Sequence, residues 1–539
     1  MNRRLWDRRN DLVRDATARG ARSARRVPMF GAASSARGGA GTAARCAPRA
    51  PTRRRSPPGA SRGGRRAKKG RRKSVEKGAT ERGCDIALAP GCFYRPESAQ
   101  GRDLATLCAM VAAETLGRGL DALDATCASG ARATRYAPAL RSVVCNDADE
   151  EHVARALEEN LRACGVPKTE MRFEDAHRLL ARYWLENARF DLVDVDGFGS
   201  VNFAEGALRV VRYGGYYYAT STDGRALCGQ NPSGVGASFG NVVVAPSRPS
   251  VNETALRAFI GDVVRRAAVL KLDVTPVFSL FHPHGPVFRV MFRVDKAKKT
   301  STPAKSGGGN GTASYDAFAA ADANRVARMG FIGYCDSCGS TEVIRRPLVN
   351  VFGHDKPHRR RKGVGGDDSS ERRLKCSVCG ARDESLAVSG PIWIGPLHDA
   401  ETVESMWTQA DALGWLDDDD DDDDDDGVHT TDDVEEPSQR RRREKGQLSL
   451  RDLLDAFRGE ANPRLSGVAH YFRTDELGRK GRCVRVPPRD VLITALRAEG
   501  HAATRSHIDP RGIKTNAAVN VVVDVANRAV AALDELDGR

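Results

Sequence analysis

Strand-length apolar runs recur between Gly83 and Val294, at Leu120–Asp124, Ser142–Cys145, Phe190–Val195 and Tyr213–Thr220, with amphipathic stretches such as Glu150–Arg162 between them. Short apolar runs separated by helix-period segments bury both of their faces as a mostly parallel sheet covered by helices. The expectation is an α/β, Rossmann-like domain. Such a sheet binds its ligand at the carboxyl ends of its strands, so the residues at those ends carry the functional reading.

The first run leads into the small-residue turn Cys127-Ala128-Ser129-Gly130 and then into Ala131–Tyr136, which suits a helix. Small residues there let a ligand approach the backbone and the helix N-terminus, with Ser129 and Gly130 as the candidate contacts. The second run ends in Asn146-Asp147, where folds of this kind place an acid on a nucleoside ribose. One unit further, Phe173-Glu174-Asp175-Ala176 supplies another acid, suited to an adenine amino group. Together these residues favour an adenosine-type cofactor. The alternative is that each acid caps the helix that follows it. A nicotinamide dehydrogenase is disfavoured because the glycine fingerprint GxGxxG is missing.

The fourth strand continues as Asp194-Val195-Asp196-Gly197-Phe198-Gly199. Methylating an exocyclic amine needs a carboxylate, because the amine lone pair is delocalised into the ring and its N–H must be accepted as nitrogen attacks. Asp196 is the candidate for that role, and Phe198 the candidate to stack on the presented base. Taken alone, an Asp-x-Phe-Gly string is more often a simple turn.

Cysteine spacing gives a separate signal. Cys335-x-x-Cys338 and Cys376-x-x-Cys379 are each followed by a glycine, Gly339 and Gly380, which permits a tight turn around a metal. Four thiolates suit a tetrahedral zinc ion and leave no open position for chemistry, so the site reads as structural. The 13 cysteines are an odd number, which also argues for reduced thiols over a disulfide framework.

The net charge of +14 is misleading, because Thr17–Val75 alone holds 18 Lys and Arg and no acid. That composition reads as an organelle transit segment, plastid or mitochondrial, with a basic RNA-touching arm in a nuclear or cytoplasmic protein as the alternative. The ten aspartates Asp417–Asp426 offset part of the rest, leaving a mildly basic body that is compatible with a phosphate backbone. No stretch approaches the roughly 18 uninterrupted apolar residues of a membrane-spanning helix.

The expected organisation is a transit or basic segment over 1–77, a Rossmann-like domain over 78–295 and a linker or insertion over 296–324. A zinc-binding part over 325–416 follows, then a disordered acidic and basic insertion over 417–446, and the remainder of an α+β C-terminal domain over 447–539. In that last part a helix at Arg489–Glu499 precedes a loop with Arg505, His507, Arg511 and Lys514, and then the apolar run Val519–Val525, read as a strand.

These residues resemble the tRNA (guanine26-N2)-dimethyltransferase family over most of Gly78–Val525. The resemblance rests on Phe93-Tyr94-Arg95-Pro96, Arg102-Asp103-Leu104, Ala128-Ser129-Gly130-Ala131-Arg132, Asn146-Asp147 and Asp194–Gly199. It continues through Thr220-Ser221-Thr222-Asp223, Leu227-Cys228-Gly229, Gly390–Leu397, Thr504-Arg505-Ser506-His507 and Ile513-Lys514-Thr515. It implies an S-adenosylmethionine-dependent methyltransferase acting on tRNA, with Arg102, Arg132, Asp147, Asp175 and Ala176 on the cofactor and Asp196 as catalytic carboxylate. It also suggests that Arg505, His507 and Lys514 hold tRNA phosphates, although a solvated loop fits their charge equally well.

The chain departs from the family pattern in three places. Gly197 stands where the family has proline, Gly101 where it has asparagine, and His282-Pro283-His284-Gly285 where it has an aromatic and an acid. A tRNA-binding relative with little catalysis, or an amino-methyltransferase for another RNA, are the competing readings.

Overall fold

The computed structural model describes residues 76–165, 168–197, 200–243, 248–283, 285–297, 328–344, 375–382, 385–416, 448–480, 483 and 485–536. The transit-like segment through Val75, most of the 296–324 linker, Arg359–Lys362, the acidic insertion and Phe198 lie outside them.

β1 (Glu76–Glu81) and β2 (Cys84–Leu88) form an antiparallel hairpin ahead of the main sheet. That sheet contains β3 (Leu120–Asp124), β4 (Leu140–Asn146), β5 (Thr169–Arg172), β6 (Phe190–Val195), β7 (Val211–Ser221), β8 (Leu272–His282) and β9 (Val287–Lys296). Among the described residues their order is β5-β4-β3-β6-β7-β9-β8. β3 to β7 run parallel and β9 runs antiparallel to both neighbours. The order reverses between β3 and β6, which creates the crevice where a doubly wound sheet takes its ligand.

The apolar runs seen in the sequence lie in β3, β4, β6 and β7, and successive residues face opposite cores as the pleat requires. Tyr217 packs with Leu123, Val193 and Phe292 against the helix Val251–Val269. Its neighbours Tyr216 and Tyr218 pack on the other face with Leu120, Leu192 and the helix Ala99–Leu116.

The C-terminal part is woven into both cores. Val403, Met406, Leu450 and Phe457 join the Leu104 side, and Ile392, Trp393 and Ile508 join the Val193 side. Fully buried Arg257, on the helix Val251–Val269, donates to the carbonyls of Trp393 at 3.2 Å, Gly395 at 2.8 Å and Val468 at 3.3 Å. Segments that the sequence assigns to separate domains therefore share hydrophobic interior with the sheet.

Two small antiparallel sheets complete the C-terminal part. β10 (Met329–Cys335), β11 (Thr341–Ile344) and β12 (Leu386–Trp393) flank the cysteines, of which Cys335 ends β10, and β13 (Phe472–Arg473), β14 (Ala503–Arg505) and β15 (Gly512–Thr515) carry the basic loop. The run Val519–Val525 is not a strand: it opens the helix Val519–Leu536. Its β-branched residues look strand-like, yet Val519, Val522, Val525 and Ala526 are buried while Asn520 and Asp524 are exposed, which is helical spacing.

Candidate active site and zinc centre

The carboxyl ends of β3, β4, β5 and β6 converge on one crevice. Ala128 and Gly130 adopt left-handed conformations (φ 46° and 77°), folding Cys127–Gly130 back onto the following short helix. A Cβ on Gly130 would lie 2.6 Å from Leu157 Cδ1, so the turn needs glycine for both conformation and space. Buried Asn160 holds the turn in place, its amide donating to Ser129 O at 2.8 Å and to Ala87 O at 2.9 Å. Asn146 spans three strand ends by donating at 3.0 Å to both Ala125 O and Glu174 O.

The two cofactor acids differ in use. Asp147 does not cap a helix: its carboxylate accepts from Ala128 N at 2.9 Å and Asp149 N at 3.0 Å, bracing the turn. Asp175 does cap the helix Ala176–Leu185, accepting from Arg178 N at 3.1 Å, so the capping reading holds there. Ser129, Gly130, Arg132, Asp147, Asp175, Ala176 and Asp196 all come to this edge. Arg102 is committed elsewhere, with Nε donating to Glu81 at 2.9 Å and a terminal nitrogen to Arg95 O at 2.9 Å.

Asp196 sits beside β7, where Val195 pairs with Ala219 and Thr220 pairs with Arg289 across to β9. Arg132 binds Asp196 directly and reaches Asp194 at 3.2 Å, and Arg289 Nη2 lies 3.2 Å from Asp196 Oδ2. Burial opposes ionisation of Asp196, but Arg132 and Arg289 outweigh it and hold the carboxyl below the usual range. Burial together with the neighbouring carboxyls pushes Asp194 up and Asp124 well up. Environments that separate carboxyl groups in this way assign them different tasks, with Asp196 ionised.

Asp124, Asp194 and Arg289 were not assigned roles from the sequence. Both carboxylate oxygens of Asp124 and Oδ1 of Asp194 are buried without a hydrogen-bond partner among the described residues. A buried acceptor left this way costs about 1–3 kcal/mol, which a bound donor relieves. The position of Asp124 at the end of β3, directly before the small-residue turn, was the available sequence signal. Orphaned acceptors that an ammonium could satisfy, a small-residue turn and Asp147 fit an adenosine-bearing zwitterion such as S-adenosylmethionine.

The four cysteines meet as expected. Cys335 Sγ lies 3.6 Å from Cys379 Sγ, Cys338 Sγ lies 3.6 Å from Cys376 Sγ, and all four ligand atoms fall within 4.8 Å of one another. Thiolates about 2.3 Å from a tetrahedral zinc would stand about 3.8 Å apart, so the cluster fits that ion. Gly339 and Gly380 turn with φ 78° and 73° and donate to Cys335 O and Cys376 O, making two matching knuckles.

The expected RNA contacts need correction. His507 and Lys514 are buried, not at the surface where a phosphate would be met. Lys514 Nζ lies 2.7 Å from Glu253 and 3.0 Å from Glu460, and His507 Nδ1 lies 2.9 Å from Glu460. His398, Glu460 and His507 also cluster as metal ligands would. Glu253 and Glu460 are already balanced by Lys514 and Arg257, so the cluster has no charge left for a cation. Arg505 alone of the three is not buried, its half-exposed side chain held by Asp490 at 2.8 Å.

A doubly wound sheet with an antiparallel end pair, small-residue turn and ionised acid at the fourth strand end defines the class of S-adenosylmethionine-dependent methyltransferases. The fold resembles that of Trm1 from Pyrococcus horikoshii, solved with S-adenosylmethionine, with a TM-score of 0.58 at 20% identity over 84% of this chain and 99% of that one. The sequence model of the N2,N2-dimethylguanosine tRNA methyltransferase family matches residues 71–309 and 428–527, and the chain belongs to that family. The tRNA (guanine(26)-N(2))-dimethyltransferase of Thermococcus kodakarensis is 29% identical over 456 residues, 80% of this chain and 92% of that protein. An Aquifex aeolicus relative, named for guanines 26 and 27, is 26% identical over 326 residues, 59% of this chain and 69% of its own.

Proposed function

We infer that this chain transfers methyl groups from S-adenosylmethionine to the exocyclic N2 of a guanosine in tRNA, at position 26, giving N2-methyl- or N2,N2-dimethylguanosine. The observation that carries this is the ionised Asp196 at the end of β6, in a chain of this family. When bound, the cofactor supplies an electrophilic methyl group on its sulfonium.

Asp147 and the Cys127–Gly130 turn bind the adenosine end, while Asp124 and Asp194 offer their unpartnered oxygens to the amino-acid end. The Asp196 carboxylate accepts an N–H of the target amine and orients its nitrogen in line with the methyl group. As the N–C bond forms, the S–CH3 bond would break with its electron pair left on sulfur, and that carboxylate takes the proton. A depressed basicity suffices, because an amine conjugated to a purine ring is a strong acid once methylated. Phe198 stacks on the base in this reading. Arg505, whose surface ion pairs are weak enough to exchange, offers itself to a phosphate.

tRNA is the partner in this proposal, and among the described residues no helix is long and apolar enough to cross a membrane. An organellar destination, plastid or mitochondrion, belongs to the same proposal and is supported by the acid-free composition of Thr17–Val75.

The test uses purified protein, methyl-labelled cofactor and paired tRNA transcripts with guanosine or adenosine at position 26. Label on the guanosine transcript alone supports the reading. Equal label on both points to another nucleotide. Label on neither makes the chain a non-catalytic tRNA-binding relative, the reading that Gly197 favours.

A further inference from the structure

The catalytic carboxylate is gripped from two sides, and the two arginines are not equivalent. Arg132 is shared: it serves Asp194 as well as Asp196, lies 5.1 Å from the Tyr218 ring centroid, and stands two residues beyond the cofactor turn. Arg289 approaches from β9, with Nη2 3.2 Å from Asp196 Oδ2, 3.4 Å from Oδ1 and 3.2 Å from Ser98 Oγ. It is 4% exposed, and its Nε and Nη1 have no partner among the described residues. A buried guanidinium left so incompletely bonded is expensive, and its position beside the reacting acid supplies the reason for keeping it.

The surroundings keep that arginine where it is. A Cβ on Gly101 would lie 3.4 Å from Arg289 Cδ, 3.2 Å from His282 Nε2 and 3.5 Å from Tyr218 Oη. Tyr218 closes the same gap by donating to Gly101 O at 3.1 Å. The missing side chain at 101 is therefore the space in which Arg289 and His282 lie.

We propose that Arg289 is a positioning residue for methyl transfer, fixing the orientation and ionisation of Asp196 while Arg132 is shared with Asp194 and the cofactor side of the crevice. The proposal rests on Asp196 being the acid that accepts the amine proton. The charged and titratable groups facing Asp196 are Arg132 from the short helix, Asp124 from β3, Asp194 from β6, Tyr218 from β7 and Arg289 from β9. With Arg289 removed, the carboxylate keeps one cation and two acidic neighbours, and its proton affinity rises.

The experiment measures kcat, KM for tRNA, the pH dependence of kcat and cofactor affinity by calorimetry for wild type, Arg289→Met, Arg289→Lys, Gly101→Ala and Asp196→Ala. The expected result is a kcat loss of about 10- to 100-fold in Arg289→Met, with the acid limb of its pH profile moved to higher pH and cofactor affinity retained. Arg289→Lys recovers part of kcat. Gly101→Ala, whose Cβ would press on His282 Nε2 at 3.2 Å and come into contact with Arg289 Cδ without touching Asp196, shifts the profile in the same direction.

Wild-type kcat and pH profile in Arg289→Met, with Asp196→Ala inactive, overturn the proposal and leave the assignment of Asp196 intact. So does a loss confined to cofactor affinity, which makes Arg289 a cofactor ligand. Full activity in Asp196→Ala overturns the underlying reading instead.

Discussion

The Lys514 ammonium lies 2.7 Å from Glu253 Oε1, joining the strand β15 to the helix Val251–Val269 in the interior of the protein. Glu460 at 3.0 Å completes the link, so the basic loop is locked to the sheet domain through ions that water does not reach. Removing the cation leaves two buried carboxylates facing each other. Lys514→Met is expected to lower stability by about 3–5 kcal/mol in denaturant unfolding. Loss of tRNA affinity without loss of stability would return Lys514 to the RNA surface.

The same cluster sets the acid sensitivity. Burial pushes His398 and His470 down to about 4, so between that value and the ordinary 6.5 the unfolded chain binds protons that the folded chain does not. Stability from these groups is therefore present above pH 6.5 and lost as pH falls towards 4. Burial opposes ionisation of Glu460, but His507 and Lys514 hold it well below the ordinary 4.5, which adds a further loss below that pH. Urea unfolding midpoints should fall between pH 6.5 and 4, with a shallower slope in His470→Gln. A flat profile over that window would contradict the burial argument.

Zinc removal should act locally. Cys376→Ser breaks one thiolate of the four and is expected to lower both bound zinc and melting temperature while cofactor affinity persists, since the knuckles lie beside the β10–β12 sheet and not among the strand ends that form the crevice. Unchanged metal content and melting temperature would remove the structural zinc from the description.

The two site glycines should behave oppositely. Gly130→Ala forces a side chain into a left-handed turn and into Leu157, so cofactor affinity should weaken by about 1–3 kcal/mol in calorimetry. At Gly197 a Cβ would lie 3.4 Å from Phe203 Cε2 and from Thr126 Cγ2, ordinary contact, and no positive φ is required. Gly197→Ala should gain about 0.4–1 kcal/mol in stability with activity kept or raised. A large loss at Gly197 with none at Gly130 would reverse the roles given to the two turns.

What was legible in the sequence follows from how local each signal is. The apolar runs of the parallel sheet, the knuckles with Gly339 and Gly380, and Asp196 at a strand end all depend on a few adjacent residues. Arg289 and Asn160 were not legible, because each gains its meaning only where distant segments meet: β9 beside Asp196, and the helix Glu150–Cys164 beside Ser129. His507 and Lys514 looked exposed because Glu460, 47 and 54 positions upstream, is the partner that buries them. Val519–Val525 was misread because β-branched composition outweighed its helical spacing.

Nucleoside mass spectrometry on tRNA incubated with S-adenosylmethionine and either wild-type protein or Asp196→Ala decides the assignment most directly. N2-methylated guanosine should accumulate with the wild type and be absent with the variant, while calorimetry shows the variant still binding cofactor. Methylated guanosine at wild-type levels from Asp196→Ala would contradict the role of Asp196, and none from either protein would contradict the activity.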